Sequence, residues 1–261
     1  MKLGVNTVLF KMAPFAEAAR LIKLAGYGGL EISGIKGMCE HLNLDSWKAQ
    51  KCEIQSIMAF YGLEMLSTEV ASRDPERLRI AFEAAAEIGI PIVNIGPGGK
   101  SDEPGAVEAS AEETQKFCEM AEPFGVTLCV KAHVNQSVYN TPTTLAMMDL
   151  VKHPLFGVDM DPSHIFRANE EPENAVASVA GKVKHIHIRD CVGRGPSPGA
   201  PALQACGRGD INLRGYFAAL KSAGYQGPVC LEVIGEITDV NHAAVIAAES
   251  YGYMNAILKA L

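Results

Sequence analysis

Two hydrophobic patterns alternate along the chain. Short, nearly continuous apolar runs recur at Leu3–Asn6, Gly29–Ile32, Glu64–Thr68, Ile92–Ile95, Thr127–Lys131, Gly157–Asp161, Val183–Ile188 and Val229–Val233. Runs of this length without polar alternation are those of parallel strands covered on both faces. The segments between them carry helix punctuation. Asp74-Pro75, Thr141-Pro142 and Glu171-Pro172 open helices with a capping position and a first-turn proline; Gly26, Gly62, Gly89 and Gly224 close them. Eight strands, each followed by a helix, predict an α/β fold: a single (β/α)8 TIM barrel of eight parallel strands with outer helices, over residues 1–261. LAGYGGLEI (24–32) and SAGYQGPVCLEVI (222–234) repeat one junction of helix end, glycine turn and glutamate-bearing strand. No linker or composition shift divides the chain. The longest irregular stretch, CVGRGPSPGAPALQACGRGD (191–210), has too many Gly and Pro for a helix or strand and is expected to be a lid or substrate loop.

Composition narrows the function classes. With 48% hydrophobic and 20% charged residues, the chain is that of a soluble globular protein. A net charge of −7 with no Lys/Arg cluster argues against nucleic acid or an acidic membrane as partner. No apolar run approaches the roughly 20 residues of a membrane span. Seven cysteines, an odd number with no CxxC pair, predict reduced, packed thiols. The opening MKLGVNTVLF is too short and too soon polar for a signal peptide, so a cytoplasmic location is expected. The last helix, AAESYGYMNAILKAL, has apolar and aromatic residues that either seal the barrel or form a homo-oligomer face.

In such a barrel the active site lies at the C-terminal ends of the strands. The fifth predicted strand ends in Lys131 and His133, the sixth in Asp161 followed by His164, the seventh in His187, Arg189 and Asp190, and the eighth in Glu232. Asp161, His187 and Glu232, on successive strands, form the donor set of a divalent-metal site; imidazole with carboxylates suits Mn, Zn, Co or Fe rather than calcium. His185 is expected to be a hydrogen-bonded core residue, Asp159 a paired residue inside the barrel, and Asp190 a cap for the loop after it. Glu31 is open between a site carboxylate and a buried structural one. Arg167 and Arg208 are candidates to meet a phosphate, carboxylate or sugar hydroxyl, and Tyr139, Asn140 and Gln204 to reach sugar hydroxyls. IGPGGK (95–100) is expected to be a tight turn.

These residues carry a resemblance. The chain resembles the sugar phosphate isomerase/epimerase family of xylose isomerase-like barrels along essentially its whole length, through GYGGLEI, GVTLCVKAH, DMDPSH (the family's D-x-x-H), HIHIRD (its H-x-x-D) and CGRGDINLRGYFAALKSAGYQGPVCLEV. The resemblance implies one divalent ion (Mn, Zn, Co, Mg or Fe) held by a carboxylate from strand five, an Asp from six, a His from seven and a Glu from eight. It assigns Asp161, His187 and Glu232 to three of these roles and makes His164 either a support behind the ligands or a substrate contact. The fourth position departs from the pattern: Lys131 stands where the family has a glutamate that also serves in its acid/base pair.

Three roles follow for Lys131: an ammonium that replaces the metal's charge, a general acid/base beside a retained metal, or a carbamylated ligand. The second is the one expected, with His133 or water completing the metal's shell and burial plus a nearby cation lowering the lysine's pKa. The implied chemistry is proton transfer next to the carbonyl of a ketose or ketosugar, free or phosphorylated, with Glu232 as base and Lys131 or His133 returning the proton. A lyase (dehydratase or ketoglycoside eliminase) is the alternative, and a non-catalytic sugar-binding homologue the further one.

Overall fold

A computed structural model describes residues 1–261. The eight apolar runs become eight parallel strands, with one short extra strand. In chain order these are β1 (Lys2–Asn6), β2 (Gly29–Ile35), β3 (Cys39–Glu40), β4 (Glu64–Glu69), β5 (Ile92–Ile95), β6 (Thr127–Lys131), β7 (Phe156–Met160), β8 (Val183–Ile188) and β9 (Pro228–Leu231). Each parallel strand pairs with the next, and β9 returns to β1, so the sheet closes into a (β/α)8 barrel. The strand not expected from the pattern, β3, pairs antiparallel with the upper end of β2 through Gly34–Glu40 and Ile35–Cys39. This hairpin stands above the strand ends.

Outside the barrel run α1 (Phe15–Ala25), α2 (Trp47–Tyr61), α3 (Pro75–Ile88), α4 (Ala106–Ala121), α5 (Thr141–Leu150), α6 (Pro162–Arg167), α7 (Pro172–Val179), α8 (Leu213–Ser222) and α9 (Val240–Ala260). Their ends follow the sequence punctuation. Asp74 accepts from Glu76 N ahead of Pro75, and Gly26, Gly62 and Gly89 close α1, α2 and α3 in the left-handed conformation. The C-terminal helix α9 buries Ile246, Met254 and Ile257, and Tyr27 donates to its Ala247 carbonyl, so it seals the barrel wall. No helix is long and apolar enough to cross a membrane. All seven cysteines are free thiols, and only Cys52 is exposed.

A period of two divides each strand between two environments. Leu30, Ile32, Leu128, Val130, Ile186 and Ile188 face outward into one apolar cluster shared with the helices. The alternate positions face the barrel axis, where the side chains of non-adjacent strands meet. At the lower end there is little room: a Cβ on Gly4 would lie 2.5 Å from Leu66 Cδ1, and one on Gly29 2.8 Å from the Glu64 carbonyl. Farther up, the interior becomes polar. Register shifts at Leu30/Glu31 and Val158/Asp159 mark where β2 and β7 turn carboxylates into it.

The 191–210 stretch is fastened rather than free. Asp190 accepts from the amides of Cys191, Gly207 and Ile211, as its expected capping role requires. Arg194 donates to the carbonyls of Phe166 and Glu170 and lies over the Phe166 ring. Gln204 is held by the backbone of Ile234 and Gly199. No residue of this stretch lines the cavity at the barrel mouth, so the expected lid is a tied-down surface loop.

Candidate active site

Two polar tiers occupy the upper half of the barrel. In the lower tier Glu31, Ser67, Asn94, Asp159, His185 and His187 are completely buried. Asp159 sits between two imidazoles: Oδ1 is 2.9 Å from His185 Nδ1, and Oδ2 is 2.6 Å from His187 Nδ1. His187 Nε2 is 2.5 Å from Glu31 Oε2, and Asn94 donates to Glu31 Oε1 at 2.6 Å. His185 Nε2 reaches Ser67 Oγ at 2.8 Å. Burial disfavours a charge on His187, but Asp159 and Glu31 on its two nitrogens outweigh this and hold it as an imidazolium well above the usual histidine range. Burial likewise opposes the Asp159 and Glu31 carboxylates, and the two histidines outweigh it, holding both below the ordinary carboxylate range.

The upper tier forms the floor of a cavity of about 300 Å³. Lys131 Nζ donates to Glu69 Oε1 and to Glu232 Oε1, each at 2.8 Å, and Asn6 Nδ2 donates to the other Glu69 oxygen at 2.7 Å. Arg189 spans the other side. Its Nη2 lies 2.7 Å from Asp161 Oδ2 and 2.9 Å from His164 Nε2, its Nε donates to Ser163 Oγ at 2.8 Å, and its Nη1 stands 3.0 Å from Glu232 Oε2. That last contact is out of line for a hydrogen bond, leaving Arg189 Nη1 and Glu232 Oε2 without partners. Ile35, Met38 and Ile234 supply apolar wall, and His133 and Gln136 polar wall.

Two nearly equivalent carboxylates are driven apart by this arrangement. Burial raises Glu232, but Lys131, His187 and Arg189 outweigh it and hold the carboxyl well below its usual range. For Glu69, burial and the Glu232 charge outweigh Lys131 and His187 and push it up to about 7. Lys131 does not have the lowered pKa expected of a buried lysine. Burial does pull it down, but Glu232 and Glu69 together raise it above the ordinary lysine range, so it is a fixed ammonium.

The structure brings Lys131, His133 and Glu232 together at the cavity. His133 Nδ1 meets the Val134 carbonyl at 2.8 Å, so Nδ1 carries the proton and Nε2 is bare; burial lowers its pKa. Its ring stacks on His164 at 4.0 Å between centroids. Asp161 lies one residue beyond β7, capping α6 through Ser163 N, and reaches the floor through Arg189. His187 and Glu31 belong to the lower tier. His164 and Arg167 lie behind Arg189, with Arg167 bonded to His164, Ser163 O and Pro196 O. Arg208 is not at the mouth; it pairs with Glu249 on the outer surface of α9. Gln204 and Tyr139 are engaged elsewhere, Tyr139 with Asp102. The sequence reading missed Glu69 and gave Arg189 no role. Each shares the parity of an inward residue on its own strand, Ser67 for the first and His187 for the second.

The donor set Asp161, His187 and Glu232 does not fit a divalent ion as these side chains stand. Glu232 Oε1 is taken by an ammonium and Asp161 Oδ2 by a guanidinium, and both ring nitrogens of His187 face carboxylates, Glu31 at 2.5 Å and Asp159 at 2.6 Å. Three other groups bring potential ligand atoms within 4.8 Å of one another: Glu31, His185 and Cys230; Asp159, His185 and His187; and Glu31, Glu69 and His187. Each shares its histidine with the hydrogen-bonded lower tier.

The family model for the xylose isomerase-like TIM barrel matches residues 10–257. The chain belongs to that family. It is 22% identical over 247 residues to 3-dehydroshikimate dehydratase of Pseudomonas putida, covering 84% of this chain and 36% of that protein, so it spans about a third of the length of this relative. It is 21% identical over 249 residues to L-ribulose-5-phosphate 3-epimerase UlaE of Salmonella paratyphi C, covering 88% of this chain and 86% of that one. Among solved structures it superposes on D-psicose 3-epimerase with D-tagatose from Clostridium cellulolyticum H10 with TM-score 0.79 at 18% identity, covering 99% of each chain. At such identities the structural likeness establishes the fold, and family members of both kinds, epimerase and dehydratase, share it.

Proposed function

We propose that this protein is an isomerase-type enzyme that moves a proton next to the carbonyl of a ketose or ketosugar. The observation that carries the reading is the floor of the mouth cavity, where Glu69 and Glu232 flank Lys131 and titrate far apart. A carboxylate poised near neutrality is the better proton-transfer group at pH 7. Glu69 is therefore the base that takes the proton. Glu232, tied to Lys131 and beside Arg189, is too acidic to hold a proton and keeps the two cations in place. The substrate carbonyl oxygen faces Lys131 Nζ and the unpartnered Arg189 Nη1, whose fixed charges stabilise the enediolate as it forms.

With one carboxylate near neutrality, a one-base path is favoured over a symmetric two-base path. Glu69 returns the proton to the neighbouring carbon, which isomerises the sugar, or to the same carbon. A β-elimination begins with the same step and is the second reading; it is supported by the dehydratase among the relatives and by the bare Nε2 of neutral His133 at the cavity wall. The test is a screen of free and phosphorylated ketoses and ketoglycosides in deuterium oxide. Deuterium entering a carbon of an intact skeleton supports the isomerase reading, and loss of water or an alcohol supports the lyase. No deuterium uptake and no new product with any substrate refutes both and favours a sugar-binding role.

A further inference from the structure

The cations at the mouth occupy the place that the family's pattern gives to a metal. Lys131 Nζ is held between two carboxylates, 2.8 Å from each. The guanidinium of Arg189 is completely buried and bridges Asp161 and Glu232 while also bonding Ser163. A divalent ion drawing on Asp161 and Glu232 would need carboxylate oxygens at about 2.0–2.2 Å, where these two cations already stand. Expelling Arg189 would strand a buried guanidinium that now pairs with Asp161 and Glu232. At 131 itself the family's pattern has a carboxylate where this chain has a positive charge, so one substitution both removes a ligand and adds a repulsion.

We propose that Lys131 and Arg189 are a built-in replacement for a divalent cation, that this barrel works without a resident metal, and that the residue at 131 selects which of the two the site holds. The pair presents two fixed positive charges to a substrate oxygen, with no ligand exchange and no dependence on metal supply. Only the catalytic use of the cations rests on the enolisation reading; the preference of the site for them over a metal does not.

The test is metal binding itself. Wild-type protein is dialysed against chelator, its metal content measured by mass spectrometry, and Mn²⁺ then titrated calorimetrically into wild type and Lys131→Glu. Wild type is expected to retain substoichiometric metal and to bind Mn²⁺ weakly. The variant regains the missing ligand and is expected to bind Mn²⁺ at least about tenfold more tightly, with a melting temperature that Mn²⁺ raises in the variant alone. Should Lys131→Glu not fold, Lys131→Gln, which frees Glu69 and Glu232 without adding a charge, is expected to bind Mn²⁺ more tightly than wild type. The proposal is overturned by one equivalent of metal surviving the chelator in wild type, by equal Mn²⁺ affinity in wild type and the tested variant, or by a carbamate on Lys131 in the intact mass. Deuterium uptake by a sugar is a separate readout. A metal-indifferent protein that converts no ketose would sink the enolisation reading and leave the cation replacement standing.

Discussion

Glu69 decides the pH behaviour of the site. To accept a proton it must be ionised, and it titrates near 7. Turnover should therefore rise as pH increases through about 7, and Glu69→Gln should lower it by about 10²–10⁴-fold. A pH–rate profile whose neutral limb survives in Glu69→Gln would remove Glu69 from the chemistry. Lys131→Met should cost about 10²–10³-fold in kcat, the usual loss when one donor to a developing oxyanion is removed; steady-state kinetics showing a change in KM alone would make Lys131 a binding group only. At this scale the sequence was legible where a strand-end rule applied. Lys131, His133 and Glu232 reach the cavity because the ends of parallel strands open there. Glu69 and Arg189 escaped because their importance lies in partners 62 and 43 residues away or more, Lys131 and Glu232, which no local pattern displays. The direction of the Lys131 shift escaped for the same reason: burial is readable from an apolar strand, but a second carboxylate across the barrel is not.

Helices and strands were read more fully than the connections between them. Helix ends obey local chemistry, so Asp74, Gly26 and Gly89 announced them. The β3 hairpin went unseen because its second strand is only Cys39–Glu40, too short to show a period. The 191–210 stretch was recognisably irregular, yet whether an irregular segment is free or tied depends on its hydrogen bonds. Here Asp190 gathers two amides of that stretch, Cys191 and Gly207, and that of Ile211 just beyond it. Asp190→Ala would leave those donors buried or force the loop outward, at about 1–3 kcal/mol for each donor left unpaired. A urea unfolding midpoint unchanged from wild type would mean that the loop is held by Arg194 and Gln204 instead.

The molecule as a whole carries a cluster of buried charges in the barrel, and this shapes the pH range over which it is stable. Glu31, Asp159 and Glu232 have depressed pKa values in the folded state, so their stabilisation is complete above the unfolded carboxylate range and is lost as pH falls through the lower, folded values. His187 is raised, so its contribution is complete below its unfolded value of 6.5 and is lost as pH climbs through the folded one. Glu69, raised to about 7, acts in the same direction as His187, its share being complete below the ordinary carboxylate range and lost as pH rises through about 7. Urea midpoints measured from acid to alkaline pH should therefore fall at both ends, the upper fall beginning below neutrality, and His187→Gln should flatten its more alkaline part; an unchanged alkaline limb would show that the imidazolium is not formed. The barrel's closure at Gly4 and Gly29 bears on where protons travel. Beneath the floor lie only completely buried residues and packed backbone, so the chamber is a blind alley with one door. A substrate seated in it blocks that door, and the proton lifted by Glu69 then has no exit to bulk water. A label carried on the substrate's own carbon should accordingly come back to the sugar more often than it washes out, and more so the better the sugar fills the entrance.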